Sequence, residues 1–498
     1  MKTQLASTTL HIFLICMCSV TGTKAQQTDT AGRKNILFIA VDDLRPELGC
    51  YGAGYVKTPN IDKLASKGVL FENAYCQQAI CAPSRNSVMT GLRPDALNIY
   101  DLSTFFRTTV PDVVTLPQHL KNNGYISEAV GKIYHEGHNN RDDILSWSRP
   151  SWDYKTPLKN LKKVKRGDTT DLQSDFPKIN GELLPFYKSN APETNMTDAV
   201  IADIAVERLH QLKDRPFFMA VGFKNPHLPF VAPAKYWNMY KPEDIRIPER
   251  NDPDGVSRYA FARWSGELNK YHGISQYKTE GYLPDDLSRN LIHGYYAAVS
   301  QVDDLIGQLI TTLEELGVRD NTIIVLWGDH GWKLGEYGMW AKHSNCELDT
   351  RAPLIISAPG FSGGKKSESL AELLDIYPTL CELSGTGLPD HLQGKSLVPV
   401  LKDPTFKVRE TAMSQYPRGK YLKDDPTKRE IMGYSITDGR YRFTRWQSYK
   451  NPDRVLDREL YDHHKGRIDL SNLARLKEYD TIVRRMEKLL NDQLAHNR

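Results

Sequence analysis

The chain is organised by apolar runs that end in charged or polar residues. The first run, residues 35–41, is almost continuously apolar and is followed by Asp42 and Asp43. Such runs are typical of strands that are buried on both faces of a parallel sheet. Further strands are predicted at 125–130, 217–223, 322–327 and 354–357.

Segments with helical spacing separate these runs. Residues 197–212 and 295–317 place apolar side chains three or four positions apart, and the second segment ends at Gly317. Strands that alternate with helices predict a doubly wound α/β domain with a large, mostly parallel sheet. A further helix is predicted over residues 372–383. We assign the large domain to residues 26–400.

The pattern changes after about residue 400. Short alternating segments predict antiparallel strands at 411–416, 432–437, 441–446 and 459–461. A charged amphipathic helix is predicted over 473–494. We therefore expect residues 401–498 to form a smaller α+β domain that contains a short antiparallel sheet.

Two acidic motifs follow strands of the predicted parallel sheet. Asp42 and Asp43 follow the first strand, and Asp329 and His330 follow the strand at 322–327. In open α/β sheets, sites form beyond the carboxyl ends of the strands, so Asp42 and Asp43 are candidates for a metal-binding pair, and Asp329 repeats the pattern of an apolar run that ends in an acidic residue. For Asp42 and Asp43, the alternative is that they form a turn or cap a helix.

Basic residues follow two other predicted strands. Lys132 and His135 come after the strand at 125–130, and His227 lies between two prolines after the strand at 217–223. Each has an ordinary alternative, because polar residues are common after strands and a histidine can simply pack a loop. Lys342 lies in a loop before the strand at 354–357.

Cys81 opens the segment Cys-Ala-Pro-Ser-Arg, which ends at Arg85. Pro83 suits the first turn of a helix and Gly91 suits its end, so Cys81 should lie just before a helix N-terminus. Free backbone N–H groups at that position favour an anion. The ordinary alternative is a buried or disulfide-bonded cysteine.

The N-terminus predicts an exported protein. Lys2, a short apolar run and small residues before Gln26 are typical of a cleaved signal peptide, residues 1–25. Cys16 and Cys18 leave with it, so five cysteines remain, and an odd number suggests that one has a separate role. We expect the mature protein to be periplasmic or secreted and to have no membrane-spanning segment. The net charge of +4 is too small and dispersed to indicate nucleic acid.

The segment at 81–85 resembles the signature of type I sulfatases, in which a maturation enzyme oxidises the cysteine to formylglycine. Most of the mature chain is similar to this family, which has the alkaline phosphatase-like fold, and the resemblance is greatest to its iduronate-2-sulfatase branch. The matching segments are Ala40–Pro46, Cys81–Arg85, Gly131–His135, Pro226-His227, Gly328–Trp332, Trp340–Ser344 and Leu373–Thr379.

The resemblance implies a role for each matched residue. The implied metal ligands are Asp42, Asp43, modified residue 81, Asp329 and His330. They would bind one calcium ion per chain, or less favourably magnesium, although a histidine is an unusual ligand for so hard a cation. The implied catalytic residues are Cys81 as formylglycine, Arg85, Lys132, His135, His227 and Lys342.

In this scheme, a hydroxyl of the hydrated aldehyde attacks sulfur with help from the metal and Arg85. Lys132 and Lys342 neutralise the sulfate, and His227 or Lys342 protonates the leaving oxygen. His135 removes the second hydroxyl proton, which expels sulfate. Lys132, His227 and Lys342 would therefore also bind the substrate.

The predicted function is a secreted sulfuric ester hydrolase that acts on sulfated carbohydrates. The resemblance favours glycosaminoglycans with uronate 2-O-sulfate or algal polymers of the ulvan type. Predicted loops at 138–195 and 232–285 would shape the sugar pocket, although the aromatic residues of the second could instead pack the insertion onto the protein. Two alternatives remain: a phosphoester or phosphonate hydrolase on the same scaffold, and a non-catalytic binder of sulfated glycans.

Overall fold

The computed structural model describes residues 32–152, 177–262, 267–278, 281–419 and 430–496. The chain from Arg33 to Arg498 forms one compact unit, and the other unit, Met1–Gly32, is described only at Gly32. The predicted signal peptide therefore lies outside the described residues, as does part of the predicted loop at 138–195. Within the described ranges, no helix combines the length and apolar character needed to cross a bilayer.

Fifteen strands occur in the described ranges. They are β1 (Asn35–Val41), β2 (Val69–Tyr75), β3 (Ile126–Gly131), β4 (Lys178–Ile179), β5 (Glu182–Leu183), β6 (Phe186–Ser189), β7 (Phe217–Phe223), β8 (Phe230–Pro233), β9 (Thr322–Gly328), β10 (Leu354–Ser357), β11 (Lys365–Glu372), β12 (Ala412–Arg418), β13 (Ile431–Thr437), β14 (Tyr441–Ser448) and β15 (Val455–Asp462).

Eleven α-helices lie between and after these strands in the same ranges. They are α1 (Pro59–Ser66), α2 (Cys81–Thr90), α3 (Pro94–Leu97), α4 (Leu116–Asn122), α5 (Thr197–Leu212), α6 (Ala234–Trp237), α7 (Asp285–Glu315), α8 (Glu347–Thr350), α9 (Ile376–Ser384), α10 (Val398–Lys402) and α11 (Asp480–His496).

The central sheet has seven strands in the order β11-β2-β10-β9-β1-β7-β3. Strand β1 is parallel to β7 and β9, and β7 is parallel to β3. Only β10 runs against its neighbours in this sheet, because it pairs antiparallel with both β2 and β9. The prediction of a large, mostly parallel sheet is therefore confirmed.

Both faces of the central sheet are covered. In β1, Leu37 and Ile39 belong to the apolar core shared with α5 and α7, whereas Ile36 and Phe38 belong to the core shared with α2 and α9. This two-sided burial explains why β1 reads as a continuous apolar run. Because β1, β3, β7 and β9 run parallel, the polar residues that follow them lie at a common edge of the sheet.

A second, antiparallel sheet has the order β12-β13-β14-β15. Its apolar face packs against α11, where Phe443 and Leu460 contact the same core as Met486 and Leu490. The predicted smaller antiparallel sheet is therefore confirmed. The proposed domain boundary at residue 400 stays a prediction.

The second sheet contacts the segment that leads to Cys81. The Ser414 hydroxyl donates to the carbonyl of Cys76 at 2.6 Å, and the backbone N–H of Gln415 donates to the carbonyl of Gln77 at 2.8 Å. The buried pair of Arg442 with Glu347, 2.6 Å apart, joins β14 to α8. The C-terminal sheet is thus bonded directly to the larger part of the fold.

Three predicted helix starts are wrong. Helix α7 begins at Asp285 instead of residue 295. The helix predicted over 372–383 begins at Ile376, because residues up to Glu372 form β11 and pair with β2. The final helix begins at Asp480 instead of residue 473, and short 3-10 turns precede it.

All five cysteines in the described ranges are free.

Candidate active site

Helix α2 presents residue 81 at its start. Ile80, the N-cap, has an extended backbone, Cys81 is the first helical residue, and Gly91 ends the helix with φ 71°. The predicted location at a helix N-terminus is confirmed to within one residue. All ten residues of α2 are buried, so the helix holds Cys81 inside the protein rather than on a surface loop.

A close backbone approach delivers Lys132 to the site. Gly131, the last residue of β3, has φ 82°, and a Cβ atom there would lie 2.1 Å from the carbonyl oxygen of Gly222 in β7. Only glycine fits this left-handed and crowded position without strain. The turn then brings the Lys132 side chain to the carboxylate of Asp42, with which it forms a short ion pair.

Three aspartates from two strand ends gather around residue 81. Asp42, Asp43 and Asp329 are all fully buried. The Cys81 sulfur lies 3.5 Å from Oδ1 of Asp42 and 3.4 Å from Nε2 of His330. Because β1 and β9 are parallel neighbours, their carboxyl ends bring these residues together, as the sequence predicted.

Arg85 joins the two strand ends. Its Nε donates to Oδ2 of Asp329 at 2.9 Å, and one terminal nitrogen donates to Oδ1 of Asp42 at 3.1 Å. The other terminal nitrogen donates to the carbonyls of Lys132 at 2.5 Å and Ile133 at 3.2 Å. Burial lowers the pKa of this guanidinium, but Asp329 and Asp42 raise it more, so Arg85 stays charged.

Two lysines balance the carboxylate charge. Nζ of Lys342 lies 2.7 Å and 3.0 Å from the two oxygens of Asp43, and Lys132 pairs with Asp42. Burial lowers the pKa of each ammonium, but the neighbouring carboxylates raise it above its usual value. Burial likewise raises the pKa of Asp42, yet Lys132 and the other cations hold it well below the usual range. Asp42, Lys132 and Lys342 are therefore charged at neutral pH.

His227 contacts a residue that the sequence did not mark. Nε2 of His227 lies 3.2 Å from Oε2 of Glu267 and 4.0 Å from Oδ2 of Asp43, and its Nδ1 lies 2.7 Å from the Leu228 carbonyl. Burial lowers the pKa of His227, but Glu267 and Asp43 raise it above its usual value. Glu267 also lies 3.7 Å from Nζ of Lys342.

No motif in the sequence distinguishes Glu267. It lies in the segment 232–285, which was predicted only to shape the sugar pocket, and that segment carries several other acidic residues. His227 and Lys342 hold the pKa of Glu267 well below its usual range against the opposing effect of burial. Only the folded chain reveals that this carboxylate belongs to the site.

His135 lies at the border of the site. Its Nε2 is 3.2 Å from Nδ1 of His138, and the two rings are stacked with centroids 5.4 Å apart. Burial, followed by the charge of Lys132, lowers the pKa of His135 to about 2. His135 is therefore neutral at physiological pH and, in this arrangement, a weak base.

The thiol of Cys81 is held in its neutral form. Burial raises its pKa well above the usual value, and the charge of Asp42 adds to this effect. Since the thiolate is the nucleophilic form of cysteine, unmodified Cys81 is a poor nucleophile here. The same is true of the other buried thiol nearby, Cys76, whose pKa burial also raises.

The donor atoms around residue 81 fit a divalent cation. Ligand atoms of Asp42, Asp43, Cys81 and His227 lie within 4.8 Å of one another, as do those of Cys81, Asp329 and His330. Three of these six residues are carboxylates, whose oxygens hard cations prefer, and the others are one thiol and two imidazoles. Nδ1 of His330 lies 3.0 Å from the Gly331 carbonyl, so a proton on Nδ1 leaves Nε2 free to bind.

This combination defines a class of protein. A mostly parallel sheet covered by helices on both faces collects buried carboxylates, cations and a helix N-terminus at the carboxyl ends of its strands. Such an edge suits the binding of a metal and of a tetrahedral anion. The fold is the alkaline phosphatase-like fold of sulfatases and related ester hydrolases.

The sequence then assigns the family. Residues 34–386 match the family described as Sulfatase, and residues 335–496 match the C-terminal region of N-sulphoglucosamine sulphohydrolase. The chain belongs to the sulfatase family and is a sulfuric ester hydrolase. It is 34% identical over 518 residues to human iduronate 2-sulfatase, covering 92% of this chain and 93% of the relative.

Two sulfatases of Formosa agariphila are also similar. One, described as a sulfatase, is 33% identical over 398 residues, covering 78% of this chain and 76% of the relative. The other, an ulvan-active sulfatase, is 25% identical over 497 residues, covering 97% and 85%.

Solved structures agree in fold. The phosphonate monoester hydrolase of Agrobacterium radiobacter has a TM-score of 0.76 at 22% identity, covering 94% of this chain and 96% of that one. A 2-O GAG sulfatase has a TM-score of 0.68 at 23% identity, covering 93% and 92%. At these identities the likeness concerns the fold alone.

Proposed function

We propose that this protein is an exported sulfatase that hydrolyses sulfate esters of a sulfated carbohydrate through a formylglycine at residue 81. The observation that carries the proposal is the environment of Cys81, which is buried among three carboxylates, three cations and His330. Members of the family generally use formylglycine and a divalent metal. A maturation enzyme would supply the modification.

The burial of the thiol supports the modification. A thiol whose pKa is raised so far would contribute little as a nucleophile at neutral pH. An aldehyde at the same position forms a hydrate, and one hydroxyl of that hydrate can attack sulfur. The Arg85 guanidinium is completely buried. Its hydrogen bonds to Asp42 and Asp329 keep these carboxylates aligned beside residue 81.

Asp42, Asp43, Asp329, His330 and residue 81 would hold the metal, which we propose to be calcium. The oxygen-rich donor set favours calcium over transition metals, and its single imidazole is the exception. When bound, a divalent cation stabilises negative charge that develops on the ester and favours the deprotonated hydroxyl of residue 81.

The remaining side chains have separate roles in this proposal. Lys132 and Lys342 are charged and lie beside Asp42 and Asp43, where they can also neutralise sulfate oxygens. His227, whose pKa is raised, can donate a proton to the leaving alcohol, and Lys342 is the other candidate donor. His135 is the proposed acceptor of the hydroxyl proton when sulfate is expelled. Burial and the charge of Lys132 keep its pKa low, and a sulfate anion bound there would raise it by offsetting the charge of Lys132.

We propose sulfated polysaccharides or their oligosaccharides as substrates. The likeness to iduronate 2-sulfatase supports a 2-O-sulfated uronic acid of a glycosaminoglycan, and the likeness to an ulvan-active sulfatase supports an algal polymer. The signal-peptide pattern of residues 1–25 supports a periplasmic or secreted location, where such polymers are met.

One peptide tests the central proposal. Trypsin releases residues 68–85, which contain both Cys76 and Cys81. After reduction and alkylation, the peptide from active protein should carry one alkyl group, on Cys76, and an aldehyde at position 81. Cys76 serves as the internal control for complete alkylation. Active protein whose peptide carries two alkyl groups would refute the formylglycine mechanism.

A second assay tests the reaction and the substrate. Sulfate release should be measured from defined glycosaminoglycan and ulvan oligosaccharides, with matched sulfate and phosphate esters of one aryl alcohol in parallel. We expect the sulfate ester to be preferred and one saccharide class to dominate. Preferred turnover of the phosphate ester would favour a phosphoester hydrolase, and binding without turnover would favour a glycan-binding protein.

A further inference from the structure

A large cavity lies beside the metal-binding segment, on the side of α7. Its volume is about 730 Å³. The residues that line it come from the segment after β1, the segment after α6, helix α7 and the loop after β9, and they include Glu47, Lys57, Lys241, Arg246 and Tyr296. Pockets of this size accommodate ligands of several hundred daltons.

The charges that line the cavity are unevenly compensated. The acidic residues Glu47 and Glu336 are both paired with Arg45, at 3.1 Å and 2.9 Å. The basic residues Lys57, Lys241 and Arg246 are exposed, and the described part of the chain provides no ion pair for them. Asp244 is the other acidic residue of the lining. Arg45 can neutralise only one of its two carboxylates, so the lining together with Arg45 carries four positive and three negative charges, a net charge of +1. Among the described residues, its three unpaired cations are Lys57, Lys241 and Arg246.

Tyrosine rings provide an apolar wall beside these charges. The ring of Tyr55 is 54% exposed and lies 5.6 Å from that of Tyr296, which in turn lies 5.7 Å from that of Tyr240. The hydroxyls of Tyr55 and Tyr296 are fixed by hydrogen bonds to Oε1 of Glu47. Rigid aromatic faces next to hydrogen-bonding groups suit the C–H face and hydroxyls of a pyranose ring.

The wall of this cavity is bonded to the metal-binding segment. The Tyr295 hydroxyl donates to the carbonyl of Asp43 at 2.8 Å and accepts from the backbone N–H of Arg45 at 3.0 Å. The guanidinium of Arg45 then holds both carboxylates of the cavity wall. The cavity is thus a neighbour of the proposed active site, and different side chains form it.

We propose that this cavity is an accessory site for an anionic oligosaccharide, which binds a second part of the polymer whose sulfate ester is hydrolysed at residue 81. The free cations would attract carboxylate or sulfate groups, and the exposed ring of Tyr55 would stack on a sugar ring. The inference rests on the proposed function for the identity of the polymer, but the binding of an anionic glycan can be tested separately.

The test compares two triple variants. One is Lys57→Ala with Lys241→Ala and Arg246→Ala. The control is Lys402→Ala with Lys407→Ala and Arg454→Ala, which removes the same number of exposed positive charges elsewhere. Binding of a fluorescein-labelled heparin hexasaccharide is followed by anisotropy at several salt concentrations. We expect about tenfold weaker binding and a smaller salt dependence for the cavity variant only.

Kinetics provide the second measurement. Sulfate release is compared for a sulfated hexasaccharide and for the shortest sulfated saccharide that the protein accepts. The cavity variant should lose kcat/KM on the hexasaccharide and keep it on the short substrate. Equal binding by both triple variants, or equal losses on both substrates, would overturn the accessory site. If the wild-type protein hydrolyses no saccharide, the proposed function fails and the anisotropy comparison alone decides the accessory site.

Discussion

Replacing Arg85 with alanine should destabilise the protein strongly, because its guanidinium is completely buried. The change removes the only cation that pairs with Asp329 among the described contacts, at 2.9 Å, whereas Asp42 keeps Lys132. It also leaves the carbonyls of Lys132 and Ile133 without this donor. Removing one partner of a buried ion pair costs about 3–5 kcal/mol, and we expect a loss of about 5 kcal/mol.

Urea unfolding followed by tryptophan fluorescence measures this loss. The wild-type protein and Arg85→Ala are made without the maturation enzyme, so that residue 81 is cysteine in each. Both are studied in EDTA and in calcium chloride. The control is Arg440→Ala, which breaks an exposed pair with Asp462, and it should lose much less. Calcium should reduce the loss for Arg85→Ala, because the cation offsets the carboxylates. The reasoning is refuted if Arg85→Ala in EDTA loses no more than the control.

Four further outcomes are expected. Cys81→Ala should fold, as measured by circular dichroism, and release no sulfate. Cys81→Ser should do the same unless the host converts serine to formylglycine. Full activity of Cys81→Ala would contradict the mechanism. Glu267→Gln removes a charge that raises the pKa of His227, so the basic limb of the kcat/KM profile should move to lower pH. An unchanged profile would exclude His227 as the proton donor. EDTA should abolish activity, and calcium should restore it better than magnesium in a sulfate-release assay; activity that survives complete metal removal would exclude the metal role. Burial raises the pKa of Glu372, but Arg409 and Arg93 lower it from 4.5 to about 2. The stabilisation of the fold by this carboxylate is therefore complete above pH 4.5 and lost as the pH falls toward 2. Glu372→Gln should flatten the dependence of the urea midpoint on pH in this range, and an unchanged slope would contradict the assignment.

The central strands could be predicted because their burial on both faces is written into the chain as continuous apolar runs. The predicted bounds of β1, β7 and β10 are those observed. Since parallel strands place their carboxyl ends at one edge, the sequence also predicted that Asp42 and Asp329 would meet. The resemblance added residue 81 and the basic residues, which the structure places at or beside this edge.

Other features depend on long-range packing that no local pattern records. Strand β11 was not predicted, and its last residue, Glu372, was placed at the start of a helix, because only the pairing of this segment with β2 marks it as a strand. Glu267 follows no strand and belongs to no motif, yet the fold brings its carboxylate to His227 and Lys342. The compensation of Glu47 and Glu336 by Arg45 likewise appears only in three dimensions.

The burial of Cys81 limits the time during which an enzyme can modify this residue. Its side chain is only 2% exposed, and the Ser414–Cys76 bond that helps to enclose its segment joins residues 338 positions apart. If an enzyme modifies residue 81, it must act before the C-terminal sheet docks and encloses this segment. The yield of modified protein is then set by a race between modification and folding. A substitution that only speeds folding of the N-terminal part could therefore reduce activity without changing any residue of the site.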